Sequence, residues 1–160
     1  MGVRLGEALV NQGLLTNQQV EQILDVQQNR ARPFGVLAEE MFGVDPGAIE
    51  SAWLDQLFTV SERVSLDGLE PTYDVLDTLD RRQAWQFRVF PVRRDLAEVV
   101  LATTEKYLAR AMRFAASGLS FPTYFVLTTP ESLGAALERC YPIDGMHAGL
   151  MLKDLESPAA

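Results

Sequence analysis

The 160-residue sequence predicts an α+β protein, in which a helical lobe of two helix-turn-helix repeats precedes a small α/β lobe. The first observation is an internal repeat: residues 4–27 align with residues 33–56 without a gap, and apolar positions stay apolar. The second is that helical and extended patterns alternate after about residue 72, which is typical of helices packed on a sheet. We expect a mixed sheet of about three strands.

The first repeat reads as a short helix, a tight turn and a longer helix. The short helix is predicted over residues 3–12, with Gly13 as a left-handed C-cap. Thr16 and Gln19 have the spacing of a capping box, in which each side chain bonds the backbone N–H of the other residue. The longer helix is therefore expected to begin after Thr16 and to run to about Asn29.

The second repeat has the same order of signals. A short helix is predicted over residues 33–42, with Gly43 as its C-cap. Asp45 is placed as an N-cap, and Pro46 suits the first helical position because proline lacks the N–H that a helix leaves unpaired there. The second long helix should then run from Pro46 to about Phe58.

The rest of the chain is predicted from its turn residues and its periodicity. The elements are a helix at 75–87 capped by Thr72 or Asp74, strands at 88–93 and 98–103 around a turn at 94–95, a helix at 105–117 stopped by Gly118, a strand at 122–127, and a helix from Thr129 to Tyr141. The predicted domains are a helical lobe at 1–64, a connection at 65–71, an α/β lobe at 72–142, and a tail or linker at 143–160.

Composition excludes several classes of function. The net charge is −8, which disfavours binding to nucleic acid polymers or to anionic membranes. The chain has one His and one Cys, His147 and Cys140, too few for a structural zinc site. It lacks both a Gly-x-x-x-x-Gly-Lys-Ser/Thr loop and a Gly-x-Gly-x-x-Gly turn. We therefore expect a non-catalytic protein without a metal or cofactor. The sequence also shows neither a leader nor an apolar run of ~20 residues, so we expect a cytoplasmic location.

One stretch of the sequence matches a specific motif. Residues 4–27 fit Arg-Leu-Gly-x2-Leu-x3-Gly-x-Leu-x4-Leu-x3-Leu-x2-Gln, with Val20 for Leu as the only departure, and a second copy follows after the five residues 28–32. This arrangement resembles the MshEN domain, the N-terminal module of type II secretion and type IV pilus assembly ATPases. Some members of that family bind cyclic di-GMP through the tandem motif. The resemblance covers roughly residues 3–142.

The resemblance implies that each copy holds one half of the symmetric dinucleotide. By this resemblance, an arginine binds a guanine edge or a phosphate, and a glutamine binds a base edge. The glycines let the backbone approach the ligand, and the leucines contact the face of a base. In the first copy these residues are Arg4, Leu5, Gly6, Leu9, Gly13, Leu15 and Gln27. In the second copy the candidates are Arg32, Phe34, Gly35 and Gln56.

The second copy departs from the motif. Pro33 stands at its arginine position, Ala38 at a leucine position and Phe42 at the glycine position, although Arg32 is only one residue away. The Asp-Pro that the family carries after the second sheet strand is replaced by Glu105-Lys106. Two hypotheses follow. The chain is a cyclic di-GMP sensor, or it is a protein-docking module of a secretion or pilus system that has lost nucleotide binding.

Overall fold

A computed structural model describes residues 2–56, 59–60 and 62–153, and it confirms the α+β class. The elements are, in chain order, β1 (Val3–Arg4), α1 (Leu5–Asn11), α2 (Asn17–Asn29), α3 (Phe34–Phe42), α4 (Pro46–Gln56), α5 (Tyr73–Leu76), α6 (Arg81–Phe87), β2 (Phe90–Asp95), β3 (Glu98–Thr103), α7 (Leu108–Gly118), β4 (Thr123–Leu127), α8 (Pro130–Cys140) and α9 (Gly149–Lys153).

The sheet is mixed, as predicted, and its strand order is β1-β4-β3-β2. Strands β2 and β3 form an antiparallel hairpin, while β3 and β4 are parallel and are joined through α7. Their central residues are almost fully buried, which is typical of strands covered on both faces. Beyond the three predicted strands, β1 adds a short antiparallel edge to β4.

The predicted helix at 3–12 begins two residues too early. Val3 and Arg4 are extended and pair with Phe125 and Tyr124 of β4, so α1 begins at Leu5. A strand edge leaves backbone N–H and C=O groups unpaired, and the chain entering α1 satisfies some of them. That partner lies more than 100 residues away in the sequence, so local periodicity could not indicate it.

The caps of the two repeats are confirmed. Thr16 Oγ1 accepts from the N–H of Gln19 at 3.2 Å, and Gln19 Oε1 accepts from the N–H of Thr16 at 2.9 Å. Asp45 Oδ2 accepts from the N–H of Ala48 at 3.0 Å. Gly13 and Gly43 have φ values of 74° and 66°, the left-handed conformation that favours glycine. The end of the second long helix at residues 57–58 lies outside the described residues.

The prediction of one helix over residues 75–87 is wrong. The chain forms α5 and α6 instead, because Asp80 starts a new helix rather than continuing the old one. Asp80 Oδ1 accepts from the N–H of Gln83 at 2.8 Å, and Gln83 Oε1 accepts from the N–H of Asp80 at 3.0 Å. This second capping box satisfies the N–H groups that a helix start leaves unpaired.

The first hairpin strand is also shifted along the chain. Arg88 has a φ of 53° and caps α6, so β2 begins at Phe90 rather than at residue 88. The turn predicted at 94–95 lies at Leu96 and Ala97, with Leu96 at a φ of 57°. Because Asp95 pairs with Glu98 in the sheet, the strand continues through the predicted turn.

The segment predicted as a tail or linker contains α9, which packs against α8. Met151 is 1% exposed, and the N–H of Ala148 donates to Glu138 Oε2 of α8 at 2.9 Å. Gly134 allows this approach, because a Cβ there would lie 2.9 Å from the carbonyl oxygen of Ala148. Residues 154–160 of the predicted tail lie outside the described part of the chain.

The hydrophobic core connects the repeats with the sheet. Leu9 and Ile23 from the repeats belong to the same buried cluster as Phe90, Leu101 and Phe125 from the strands. Helix α7 joins the two regions, since it contacts both α3 and α4 of the second repeat. The cavities described next lie where the repeats meet residues from the second half of the chain.

Candidate functional site

A small cavity lies beside the first repeat. Its volume is 190 Å³, below the ~300–1,000 Å³ usual for ligand sites, so it accommodates only part of a large ligand. We call it the copy-one cavity. It is lined by Arg4, Leu5, Gly6, Glu7, Val20, Leu24, Phe34, Glu98, Phe121, Pro122 and Thr123. Four of the predicted site residues, Arg4, Leu5, Gly6 and Phe34, therefore lie together.

Arg4 is held in place by two carboxylates and one aromatic ring. Its Nε and Nη2 atoms donate to the two oxygens of Glu98 at 2.7 and 3.0 Å, and Nη1 donates to Glu7 Oε1 at 3.1 Å. Its guanidinium carbon lies 4.6 Å from the centre of the Tyr124 ring, within cation–π range. The hydrogen bond with Glu98 raises the pKa of Arg4 above its usual range, so Arg4 remains a cation.

A second cavity lies beside the second repeat. Its volume is 330 Å³, and we call it the copy-two cavity. It is lined by Gly35, Val36, Glu39, Pro46, Ile49, Glu50, Trp53, Arg113, Ala116 and Ser117. The alignment of residues 4–27 with 33–56 carries Gly6, Glu7, Val20 and Leu24 of the first cavity onto Gly35, Val36, Ile49 and Trp53 of the second. The two cavities are therefore equivalent positions of the repeat.

An ion pair borders each cavity, but the repeat supplies the cation at one cavity and the carboxylate at the other. In the copy-one cavity the repeat supplies Arg4 and β3 supplies Glu98. In the copy-two cavity the repeat supplies Glu50, and α7 supplies Arg113, whose Nε lies 2.7 Å from Glu50 Oε1. The sequence does not indicate Arg113 as a site residue, because it lies outside the motif and no local sequence pattern connects α7 with the second repeat.

The copy-two cavity also contains a buried polar atom without a partner. Trp53 is 5% exposed, and its indole Nε1 makes no hydrogen bond among the described residues. Buried N–H groups are nearly always paired, and leaving one unpaired costs about 1–3 kcal/mol. The orphaned N–H in the wall of a cavity fits a hydrogen-bond acceptor on a ligand.

The remaining predicted site residues lie elsewhere. Leu9 and Leu15 are buried in the core, and Gly13 is exposed at the C-terminus of α1. Gln27 is buried and donates through Nε2 to the carbonyl oxygen of Arg32 at 3.0 Å, while its Oε1 has no partner in the described part of the chain. Arg32 Nη2 lies 2.6 Å from Glu40 Oε1. Gln27, Arg32 and the partly buried Gln56 are absent from the walls of both cavities.

The motif glycines at the two cavities lie at close packing contacts between helices. A Cβ on Gly6 would lie 2.7 Å from Val20 Cγ1 of α2. A Cβ on Gly35 would lie 3.0 Å from the carbonyl oxygen of Ala116 in α7. Each glycine thus keeps the wall of its cavity close to a neighbouring helix, which is a structural reason for its place in the motif.

Other features of the described residues are separate from these cavities. A larger groove, of 890 Å³, is lined mainly by residues of α5, α6 and α8 and contains none of the predicted site residues. Within residues 2–56, 59–60 and 62–153, no group of three or more metal-ligating side chains is present. In the same residues no helix combines the length and the apolar character that crossing a membrane requires.

Comparisons with known proteins add a family. A model of the MshEN domain matches residues 60–147, more than half of the chain, and this match begins after the two repeats. A solved structure described as "Structure of MshE with cdg" is 20% identical, covers 87% of this chain and 99% of its own, and has a TM-score of 0.44. A comparison with curated proteins gives no match.

Proposed function

The chain belongs to the MshEN domain family, and from this premise we propose that it is a non-catalytic regulatory module that binds cyclic di-GMP. The observation that carries the proposal is the equivalence of the two cavities under the sequence repeat. A ligand with two identical halves matches a protein surface with two equivalent cavities. The family match and the motif of residues 4–27 support the choice of ligand, because they lie in different parts of the chain.

In the copy-one cavity, we assign one guanine to the Arg4–Glu98 pair. A guanine edge carries the acceptors O6 and N7, which an arginine binds with two donors. The same base carries N–H donors, which suit a carboxylate such as Glu98. Leu5, Leu24 and Phe34 supply the apolar wall against which a base ring packs.

Binding requires Arg4 to exchange part of its present contacts. The Arg4 side chain is 45% exposed, and ion pairs of exposed residues contribute only about 0–1 kcal/mol. The ligand therefore displaces Glu7, whose side chain is 48% exposed, at small cost.

In the copy-two cavity, we assign to Arg113 the role of the motif arginine, because Pro33 occupies the arginine position of the second repeat. A guanidinium from α7 lies at the same cavity wall as the orphaned N–H of Trp53, so the cavity provides a charged donor and a neutral donor. Phe34 borders the copy-one cavity and Gly35 the copy-two cavity, which places the two walls side by side at the start of α3. One dinucleotide is thus assigned to both.

The alternative is a protein-docking module of a secretion or pilus system that has lost nucleotide binding. One observation favours it: Met41 of α3 and Leu54 of α4 are 37% and 39% exposed, so the second repeat presents apolar side chains to solvent. Scattered exposed apolar residues are common, however, and only a contiguous patch indicates an interface. We therefore rank nucleotide binding first.

Titration calorimetry with cyclic di-GMP tests the proposal, with cyclic di-AMP and GMP as controls. We expect saturable binding of cyclic di-GMP with a micromolar or lower Kd, and weaker binding of GMP, which fills one cavity only. If millimolar cyclic di-GMP produces neither heat nor changes in amide chemical shifts, nucleotide binding is rejected and the docking hypothesis replaces it.

A further inference from the structure

A third cavity lies at the other end of the parallel strands. It has a volume of 280 Å³, and we call it the carboxyl-edge cavity because it is bordered by the residues that follow β3 and β4. Its walls are Arg63, Thr104, Glu105, Lys106, Tyr107, Thr128, Thr129, Pro130 and Met151. In sheets with parallel strands, ligands bind in the crevice outside the carboxyl ends of the strands.

Backbone pairing brings three segments together at this edge. The N–H of Thr128 donates to the carbonyl oxygen of Thr103 at 2.8 Å, which aligns the ends of β3 and β4. On the other side of β4, Arg63 forms a parallel bridge with Leu127, and the N–H of Val64 donates to the carbonyl oxygen of Leu127 at 2.8 Å. The positions of Arg63 and Thr128 are therefore fixed by the sheet rather than by flexible loops.

A helix begins at the cavity without a side-chain cap. The 11-residue α7 starts at Leu108, and Tyr107 at its N-cap position makes no capping hydrogen bond through its side chain. The first N–H groups of such a helix, together with its dipole, favour an anion. Helix α8 contributes less, because Thr129 already accepts from the N–H of Ser132 and Pro130 has no N–H.

A buried hydroxyl in the wall has no partner. Thr128 is 3% exposed, and its Oγ1 forms no hydrogen bond within the described residues. A hydroxyl left unpaired in the core is unfavourable by about 1–3 kcal/mol, so the unpaired Thr128 hydroxyl beside this cavity points to a ligand atom that accepts a hydrogen bond from it.

The charged groups of the cavity are two cations and one carboxylate. Arg63 and Lys106 lie in the wall, and Arg63 Nη2 donates to Glu105 Oε1. The side chains of Arg63 and Glu105 are 56% and 67% exposed, so their ion pair is easily exchanged for another partner. The Glu105 carboxylate therefore occupies the position beside Arg63 in which a phosphate oxygen would bind.

From these observations we propose that the carboxyl-edge cavity is a binding site for a phosphate-class oxyanion, held by the Thr128 hydroxyl, Arg63, Lys106 and the uncapped start of α7. The site is separate from the two repeat cavities and does not depend on binding of cyclic di-GMP. The oxyanion is either free phosphate or the phosphate of a nucleotide, since both present the same oxygens.

The test follows backbone amide shifts during titration of the full chain with inorganic phosphate at constant ionic strength, with chloride as the reference. We expect saturable shifts at residues 104–110 and 128–131. GMP is the second ligand: tighter binding of GMP than of phosphate at these amides assigns the site to nucleotides, and equal or weaker binding of GMP assigns it to free phosphate.

Three variants examine the assigned groups. Thr128→Val removes the hydroxyl with little change in shape and should weaken phosphate binding about tenfold or more, as expected for a lost hydrogen bond to a charged group. Glu105→Gln removes the competing carboxylate and should strengthen binding. Arg63→Ala should weaken it, while Arg93→Ala, which breaks a similarly exposed pair with Asp95, should leave it unchanged.

The stability of Thr128→Val provides an independent check. Since the hydroxyl has no partner among the residues that the structure describes, this variant should unfold at the same urea concentration as the unmodified chain or a higher one. The proposal is overturned if neither phosphate nor GMP causes a saturable shift at these amides beyond the chloride reference, or if Thr128→Val and Arg63→Ala bind as tightly as the unmodified chain.

Discussion

At the scale of single residues, the arginines of this chain differ in what surrounds them. Arg4 lines a cavity and contacts Tyr124, whereas Arg32 pairs with Glu40 outside both repeat cavities. Arg113 reaches the copy-two cavity from α7. Position relative to the cavities, rather than position in the motif, therefore decides which guanidinium we expect to contact a ligand.

The first prediction concerns Arg4. Because it makes the charge-assisted hydrogen bonds assigned to one guanine, Arg4→Ala should weaken cyclic di-GMP binding by about 1.5–3 kcal/mol, a rise in Kd of roughly tenfold or more. Arg32→Ala should have a clearly smaller effect, and Arg113→Ala a larger effect than Arg32→Ala. Calorimetric titration of each variant measures this, with Arg93→Ala as the control. Unchanged binding by Arg4→Ala would mean that the copy-one site is misplaced.

A second prediction at this scale concerns the pH dependence of stability. Tyr141 is 4% exposed, its hydroxyl donates to the carbonyl oxygen of Leu76 at 2.7 Å, and burial raises its pKa. An unfolded chain loses the tyrosine proton near pH ~10, while the folded chain keeps it to higher pH. Above pH ~10 the unfolded state therefore binds fewer protons, and the free energy of unfolding falls by up to about 1.4 kcal/mol per pH unit.

Urea unfolding between pH 7 and pH 11 measures this effect. Tyr141→Phe should be less stable at pH 7 by about 1 kcal/mol, because a hydrogen bond is lost, and its stability should fall less steeply above pH 10. Tyr73→Phe is the matched control, since Tyr73 is 86% exposed. Parallel alkaline slopes for Tyr141→Phe and the unmodified chain would contradict the assignment.

At the scale of elements, helix contacts at glycines determine how the parts of the chain fit together. Gly6 brings α1 close to α2, Gly35 brings α3 close to α7, and Gly134 brings α8 close to α9. A Cβ on Gly134 would lie within 3.0 Å of two atoms, one of them the backbone oxygen of Ala148, whereas at Gly35 the nearest atom, also a backbone oxygen, lies at 3.0 Å and at Gly6 it belongs to a side chain. Of these contacts, the one at α9 is therefore expected to tolerate an added methyl group least.

The third prediction is that Gly134→Ala destabilises the protein. The added Cβ would lie 2.8 Å from Met151 Cγ and 2.9 Å from the carbonyl oxygen of Ala148, so α9 must shift. We expect a loss of about 1–3 kcal/mol in urea unfolding, reduced by the better helix propensity of alanine, with faster hydrogen exchange in Gly149–Lys153. Ala135→Ser, at the exposed neighbouring position, should cost no more than about 0.5 kcal/mol. Full stability of Gly134→Ala would show that α9 does not pack there.

At the scale of the whole molecule, residues from the second half of the chain complete both repeat cavities. Glu98 of β3 closes one and Arg113 of α7 the other, and both regions share one hydrophobic cluster. A ligand in both cavities therefore contacts the repeats, the sheet and α7 at once. Such binding would stabilise the folded chain by an amount that rises with the logarithm of ligand concentration once this concentration exceeds the Kd.

The fourth prediction is that the purified chain hydrolyses neither ATP nor GTP. No glycine-rich loop ending in Gly-Lys-Ser/Thr is present in the sequence, so the lysine that binds nucleotide phosphates in such enzymes is missing. A phosphate-release assay at millimolar nucleotide should give the rate of buffer alone. Turnover that follows the protein peak through successive columns would contradict it. A carboxyl-edge oxyanion site remains compatible with this result, because binding phosphate does not require hydrolysis.

Local chemistry determined much of this fold. Thr16 with Gln19, and Asp45 with Ala48, form hydrogen bonds between residues three apart, so the sequence alone predicted where α2 and α4 begin. The bounds of β3 and the start of α8 at Pro130 followed in the same way from apolar runs and turn residues. The capping box of Asp80 and Gln83 is equally local. The prediction of one helix over residues 75–87 was wrong because it followed the apolar period and left this capping box out.

Tertiary structure decided the features whose partners are distant in sequence. Val3 and Arg4 are extended because β4 offers an unpaired edge, and α9 forms where Gly134 leaves room for it. The motif predicts Arg4 as a ligand contact, but only the folded chain sets Glu98 against it and brings Arg113 to the second repeat. A sequence pattern records which residues lie near one another along a helix or strand. Contacts between elements depend on how the whole core packs, so no local pattern contains them.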